Sequence, residues 1–405
     1  MKKINTCFVF LVIVIYPLFA QEKSNWRGPD RNGAYPDKNL LKEWPENGPE
    51  LLWRFDELGV GYSTVATSAN KIFAVGSIDS TSYIYSFDLS GNIIWRTNIG
   101  PEFTGNFPGI RSTPVIYDGL GYVRNGFGKL FCFNIKSGTI EWSKDIQAEF
   151  NGRSSQWGVA ESLVVDGDKV FCSPGGLEEN IVALNKLTGE LIWKSKGSGD
   201  VNIYSSSILI ERGGVKFLIA VSSNSIMALN ANTGEIAWKY QLKIKQETNT
   251  PIYKDGILFL LGSKTGTALK IADNGMSSEF LWENNDLGTF QGDAVLLENR
   301  LYTYAANKKM LYALNWFTGE TIYTFKLPAK HQLSSICAAD NMVYLYTLNG
   351  SVMLFEPSQD KIELISSFEI PTPKNAHSSY PVIAHGNLYI RNLNSLFVYN
   401  LKAEK

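Results

Sequence analysis

Of the side chains that act as nucleophiles, metal ligands or proton carriers near neutral pH, this 405-residue chain has few: three histidines and four cysteines. His331 and His377 each precede an apolar run, and His385 sits in an AHGN turn. Two isolated imidazoles with no carboxylate motif nearby do not make a ligand set, so no metal site is expected. Cys7 belongs to the N-terminal apolar run, which leaves Cys132, Cys172 and Cys337 with no CxxC or CxxCH spacing. That pattern excludes a disulfide framework, a zinc ribbon and covalent haem attachment, and predicts buried free thiols. GxSxG, HExxH and phosphate-cradling glycine loops are absent too, and no residue is nominated as catalytic.

Recognition chemistry is better represented. Tyr62, Arg111, Gln156 and Trp157 each stand just before an apolar strand-like run, as do Tyr204, Asn249, Gln291 and His377. If those runs converge, the set lines a funnel with one cation, several amides and several rings. Such a mixture suits a sugar, an acidic small molecule or a peptide terminus; a water-lined mouth that satisfies strand ends is the plainer alternative. Arg111 in GIRSTP and Trp157 in QWGVAES carry the most weight, because a cation and a large ring in such a place need partners.

What must position these residues is a repeat. ALNKLTGELIW ends at Trp193, ALNANTGEIAW at Trp238 and ALNWFTGETIY at Tyr323, with looser copies ending at Trp95, Trp142 and Trp282. Trp53 stands before the first full unit, and Leu364 takes the aromatic position in the last. Between anchors, four short runs of alternating apolar residues recur, with turns at GG and NTG. Four antiparallel strands in about 45 residues, repeated radially, make a β-propeller blade. The chain is therefore expected to be all-β, with eight blades over residues 51–402. The missing outer strand of the last blade comes from Leu51 to Phe55, so that no sheet edge is left open. Seven blades is the alternative, since the phrases ending at Trp282 and Leu364 are degraded. Trp53, Trp95, Trp142, Trp193, Trp238, Trp282 and Tyr323 are expected to be structural, each packing between blades and bonding a neighbouring carbonyl. Residues 21–50 form an extension that packs on the propeller, with WRGP at Trp26 placed near the closing blade or offered as a docking peptide.

The chain opens MKKINTCFVFLVIVIYPLFA, a positive start and a short apolar run. That is the layout of a leader cleaved near Ala20 rather than a span of about 20 apolar residues. A periplasmic or secreted protein without membrane insertion is expected. The formal net charge is −1 with no basic block, which argues against nucleic acid as a partner.

The phrase A-x-[DN]-x-x-T-G-x-x-x-W resembles the tryptophan-docking motif of the PQQ-type (pyrroloquinoline quinone) propeller family. WRGPDRNG, GYSTVA, GIRSTP and WGVAES are similar to exported members of unknown role. The resemblance implies one of three lives: a quinoprotein alcohol dehydrogenase, a non-enzymatic scaffold such as the propeller of the outer-membrane assembly machinery, or an uncharacterised exported relative. The enzymes need a PQQ bed, a Ca²⁺ and a carboxylate base. The large ones also carry an adjacent Cys-Cys pair, which this sequence lacks. The expected function is thus an exported, non-enzymatic binding or scaffold propeller that takes a protein partner, small molecule or glycan at its funnel, with no cofactor. The alternatives are a PQQ- and Ca²⁺-dependent alcohol or sugar dehydrogenase and a polysaccharide-binding propeller.

Overall fold

The structure is a computed structural model. It describes residues 23–403 apart from 69, 154–155, 177, 197–203, 243–248, 290–292, 307, 328–333 and 373–378. Eight antiparallel blades (I to VIII) follow in chain order, with inner strands Ala66–Ser68, Val115–Tyr117, Val164–Asp166, Ile208–Arg212, Ile252–Lys254, Ala294–Leu297, Ser334–Ala339 and Val382–Ala384. The eight-bladed expectation holds. Blade VIII takes its outer strand, Leu51–Phe55, from the start of the chain, paired antiparallel with Ser395–Asn400.

Blade IV shows why the sequence folds this way. Its third strand, Ser225–Asn230, is buried almost throughout because blades cover both of its faces. The outer strand, Ile236–Gln241, alternates between exposed and covered positions. Ala228 lies opposite Trp238, and the register slips between Ala228 and Leu229. The same slip adjoins Trp142, Trp193, Trp282 and Tyr323, with Cys132 or an alanine opposite the ring. A bulge turns the ring out of its own sheet, and a small partner leaves room for it.

Each ring docks on the blade ahead. Indole N–H groups donate from Trp53 to the Leu89 carbonyl (2.9 Å), from Trp95 to Ile135 (3.3 Å) and from Trp142 to Lys186 (3.0 Å). Trp193 reaches Ala231, Trp238 reaches Gly275 and Trp282 reaches Trp316, each at 3.1 Å. The Tyr323 hydroxyl donates to the Ser358 carbonyl at 3.1 Å. The accepting carbonyl is held by the turn itself: Asn185 Oδ1 accepts from the amides of Leu187 (2.8 Å) and Thr188 (3.2 Å). Glycine in that turn has two reasons to be there. Gly189 adopts φ +72°, and a Cβ on it would lie 2.7 Å from the Trp142 ring.

The joint between blades VII and VIII departs from this pattern. Leu364 does not reach blade VIII; the carbonyl equivalent to the docking acceptors, that of Leu401, takes the amide of Leu41 at 2.7 Å. Trp44 fills the space instead, 5.4 Å from Phe368 and 6.0 Å from Tyr344 between ring centres. So the eighth joint is closed by the extension.

Residues 23–35 go further in than the sequence suggests. Lys23–Ser24 pairs antiparallel with Val115–Tyr117, and Ala34–Tyr35 pairs parallel with Ser334–Ala339, both of them innermost strands. The segment therefore rises along blade II, turns, and returns along blade VII inside the axial channel. The described residues include no helix long and apolar enough to cross a membrane. Cys132, Cys172 and Cys337 are buried free thiols, with burial pushing Cys132 and Cys172 up to about 12.

Candidate functional site

Loops from one blade's outer strand to the next blade's inner strand gather on one face of the ring. There the structure brings together Tyr62, Arg111 and Trp157, with Tyr204 close enough to act on Arg111 electrostatically. The Arg111 guanidinium lies 5.5 Å from the Tyr62 ring centre and 5.7 Å from that of Phe103. It donates to the carbonyls of Asn106 (2.9 Å), Gly109 (3.2 Å) and Phe107, so it braces its own loop. Burial lowers its pKa, and burial raises that of Tyr62.

The brace holds up Phe107, which is 60% exposed and sits at φ +55°, a left-handed conformation costly for a bulky residue. Its ring is 5.8 Å from Trp157 and 6.4 Å from Tyr62. Phe127, 52% exposed, lies 6.1 Å from Phe103. The result is an exposed aromatic platform around a half-buried cation on blades I to III. Phe103, Phe107 and Phe127 were not nominated from the sequence, because candidates were sought just before the innermost strands. The signal available was a long loop, PEFTGNFPG, that spends two phenylalanines outside any strand.

Other candidates part from this group. Gln156 is exposed beside Trp157. Asn249 is buried and donates to the Leu261 carbonyl at 2.7 Å, a bond to a strand of blade V. Gln291, His377 and His331 lie outside the described residues. His385 is exposed in its turn at φ +57°.

The axis is occupied by the chain itself. Arg27, 2% exposed, pairs with Asp293 at 2.7 Å, donates to the Ala294 carbonyl and stacks over Tyr380 at 5.7 Å. Arg31, 4% exposed, donates to the carbonyls of Ser162 (3.2 Å), Ser207 (2.9 Å) and Leu163. Trp26 packs edge-on against Tyr380 at 4.8 Å and donates to Thr250 Oγ1 at 3.3 Å.

Buried carboxylates are the natural Ca²⁺ ligands, and here each is engaged elsewhere. Glu161 accepts from Arg124 (2.7 Å), the Ser173 amide (3.0 Å) and the Ser173 hydroxyl (2.8 Å). Glu102 accepts from Ser82 Oγ (2.5 Å) and the amides of Phe103 (2.8 Å) and Gly126 (2.7 Å). Asp293 has Arg27, the Ala294 amide (3.1 Å) and the Tyr380 hydroxyl (3.4 Å), while burial pushes it up to about 6. Among the described residues no three His, Cys, Asp or Glu side chains group to hold a metal. These three buried carboxylates are therefore each held by protein donors.

A family model described as outer membrane protein assembly factor BamB matches residues 80–267. A quinoprotein ethanol dehydrogenase of Pseudomonas aeruginosa is 32% identical over 102 residues, which is 25% of this chain and 16% of that protein. The outer membrane protein assembly factor BamB of Kangiella koreensis is 25% identical over 154 residues, 36% of each chain. The matched segments thus span well under half of these relatives. Among solved structures, BamB from Moraxella catarrhalis superposes with a TM-score of 0.65 at 13% identity, covering 87% of this chain and 100% of the other. Quinohemoprotein alcohol dehydrogenase from Comamonas testosteroni gives 0.72 at 11% identity, covering 93% and 80%. At such identities the likeness is one of fold.

Proposed function

We propose that this chain, whose repeats are those of the PQQ-like propeller family, is an exported, non-enzymatic binding propeller that engages a protein partner through the face carrying Tyr62, Phe107, Arg111 and Trp157. The observation that carries this reading is the exposed aromatic platform braced by Arg111. Exposed rings around a guanidinium are the composition of an interface hot spot, and a bulky residue kept at positive φ needs a reason to be there. A leader-like start and relatives that include an outer membrane assembly factor support export and a protein partner.

The dehydrogenase reading has the Pseudomonas relative in its favour, but the buried carboxylates are committed to protein donors. Two measurements test the proposal. Titration with PQQ and Ca²⁺, followed by dye-coupled oxidation of alcohols and sugars, should give neither saturable binding nor turnover; both together would replace this reading with the enzyme. A photo-crosslinker at Phe107, used in the native cell envelope, should trap a defined protein, and Trp157→Ala should abolish the adduct. Equal trapping from a crosslinker at Lys239, on an outer strand of blade IV, would sink the assignment of this face.

A further inference from the structure

Residues 23–35 are bound the way a ligand is bound. They carry no docking phrase and add to the innermost edges of the blades, yet they touch the inner elements of all eight, the Thr67 amide of blade I donating to Ser24 Oγ at 3.3 Å. Backbone pairing supplies general affinity: two residues against blade II and two against blade VII, with the Ala338 amide donating to the Gly33 carbonyl at 2.9 Å. Arginine supplies selectivity. Arg27 meets the carboxylate of Asp293, the Ala294 carbonyl and the Tyr380 ring, while Arg31 meets three carbonyls belonging to blades III and IV. The segment's own turn, with the Gly33 amide on the Arg27 carbonyl at 2.9 Å, sets how far apart the two guanidinium groups reach.

We propose that the axial channel is a binding site for an extended peptide bearing two arginines four residues apart, and that this chain fills it in cis with residues 23–35. The geometry lets the occupant leave. The segment enters and exits at the same mouth, because it runs antiparallel to one inner strand and parallel to another; no end has to thread through the ring. The blades hold one another through their rings and outer strands, and the extension that seals the joint of blades VII and VIII lies beyond this segment, at Leu40 to Trp44. A cavity of 510 Å³ borders the segment at Asn25, Asp30 and Asn32, facing Glu211, Lys254 and Glu298, so one flank is not sealed by packing. Two short ladders and a set of desolvated polar contacts give a unit of low local stability compared with the blades. Release exposes a channel that accepts a partner's arginine-bearing segment. The claim is independent of the aromatic face.

The test uses the full chain with a site-specific protease sequence inserted between the exposed Lys38 and Asn39, cut after folding. A fluorescein-labelled peptide of residues 23–38 should enter the cut protein saturably by anisotropy. Unlabelled wild-type peptide should displace it, and a peptide with Arg27→Ala and Arg31→Ala should compete at least about tenfold less well, as loss of buried charge-assisted bonds demands. Uncut protein should take up little label, since the tethered segment holds the site at high effective concentration. Circular dichroism follows the ring throughout. An intact ring that never exchanges, a doubly substituted peptide that competes equally, or a ring that unfolds on release would each overturn the proposal. Hydrogen exchange on the uncut chain gives a second reading: the Gly33 amide should exchange at least about tenfold faster than that of Ile219 in blade IV, and equal protection would count against a releasable segment.

Discussion

Single residues in this propeller act through contacts made one blade away. Gly189→Ala forces a left-handed residue and drives a methyl into the Trp142 ring, whereas Gly167→Ala, at φ +59° with nothing within 4 Å, meets only the first penalty. Urea unfolding should show both variants destabilised, with Gly189→Ala worse by about 1–3 kcal/mol as overpacking requires. Asp293 gives a pH signature. Its folded pKa is raised to about 6 from an ordinary 3.8, so the folded chain holds the proton more tightly than the unfolded one. That contribution is complete below about pH 4 and is lost as pH rises through about 6, a change of about 3 kcal/mol for a shift of roughly two units. Arg27 and Tyr380 face the carboxyl and set the local field. Other carboxylates titrate as well, so the comparison is with Asp293→Asn: the stability deficit of that variant should be larger at pH 4 than at pH 7. An equal deficit at both would show that Asp293 titrates normally.

Elements divide into those that follow the repeat and those that replace it. Leu364 breaks the run of rings, and Trp44 with Leu41 takes over the joint it leaves. Trp44→Ala should therefore cost about 3–5 kcal/mol and loosen blade VIII first, seen as faster hydrogen exchange over Asn387–Asn392 than over Val215–Val221. Uniform loss across all blades would argue that the joint is not a local seam. This division also explains what was legible beforehand. The blades could be read because turn glycine, asparagine and tryptophan lie within eleven residues of one another and recur. The axial segment could not, because Arg27 and Arg31 are held largely by backbone carbonyls more than a hundred residues away, and a carbonyl leaves no trace in a sequence. Arg111 and Trp157 could be nominated from their place before a strand, and the structure sets them on one face of the ring. Phe107 could not, since its exposure comes from a loop conformation that residue type alone does not specify, and the same rule cannot tell an exposed amide from one such as Asn249, which is buried and bonded to the Leu261 carbonyl.

At the scale of the whole molecule, closure depends on pieces far apart in the chain. Leu51–Phe55 completes the blade that ends at Asn400, and Leu40 bridges to Lys402. A chain ending at Asn394 should lose cooperative melting altogether, since the strand that joins Leu51–Phe55 to the last blade and the seam at Leu40 and Lys402 are both removed; a sharp transition near that of the full chain would mean that the other wedges suffice. Because Leu51–Phe55 leaves the ribosome long before its partner strand Ser395–Asn400, the circle cannot be sealed until that strand has been made. Until then the growing polypeptide is an open crescent with two bare flanks, and its opening residues wait for walls that have not yet been made. Anything that delays the arrival of Ser395–Asn400 prolongs that sticky interval, so the danger of misassembly for this molecule is concentrated between the making of its two closing strands rather than spread along the chain.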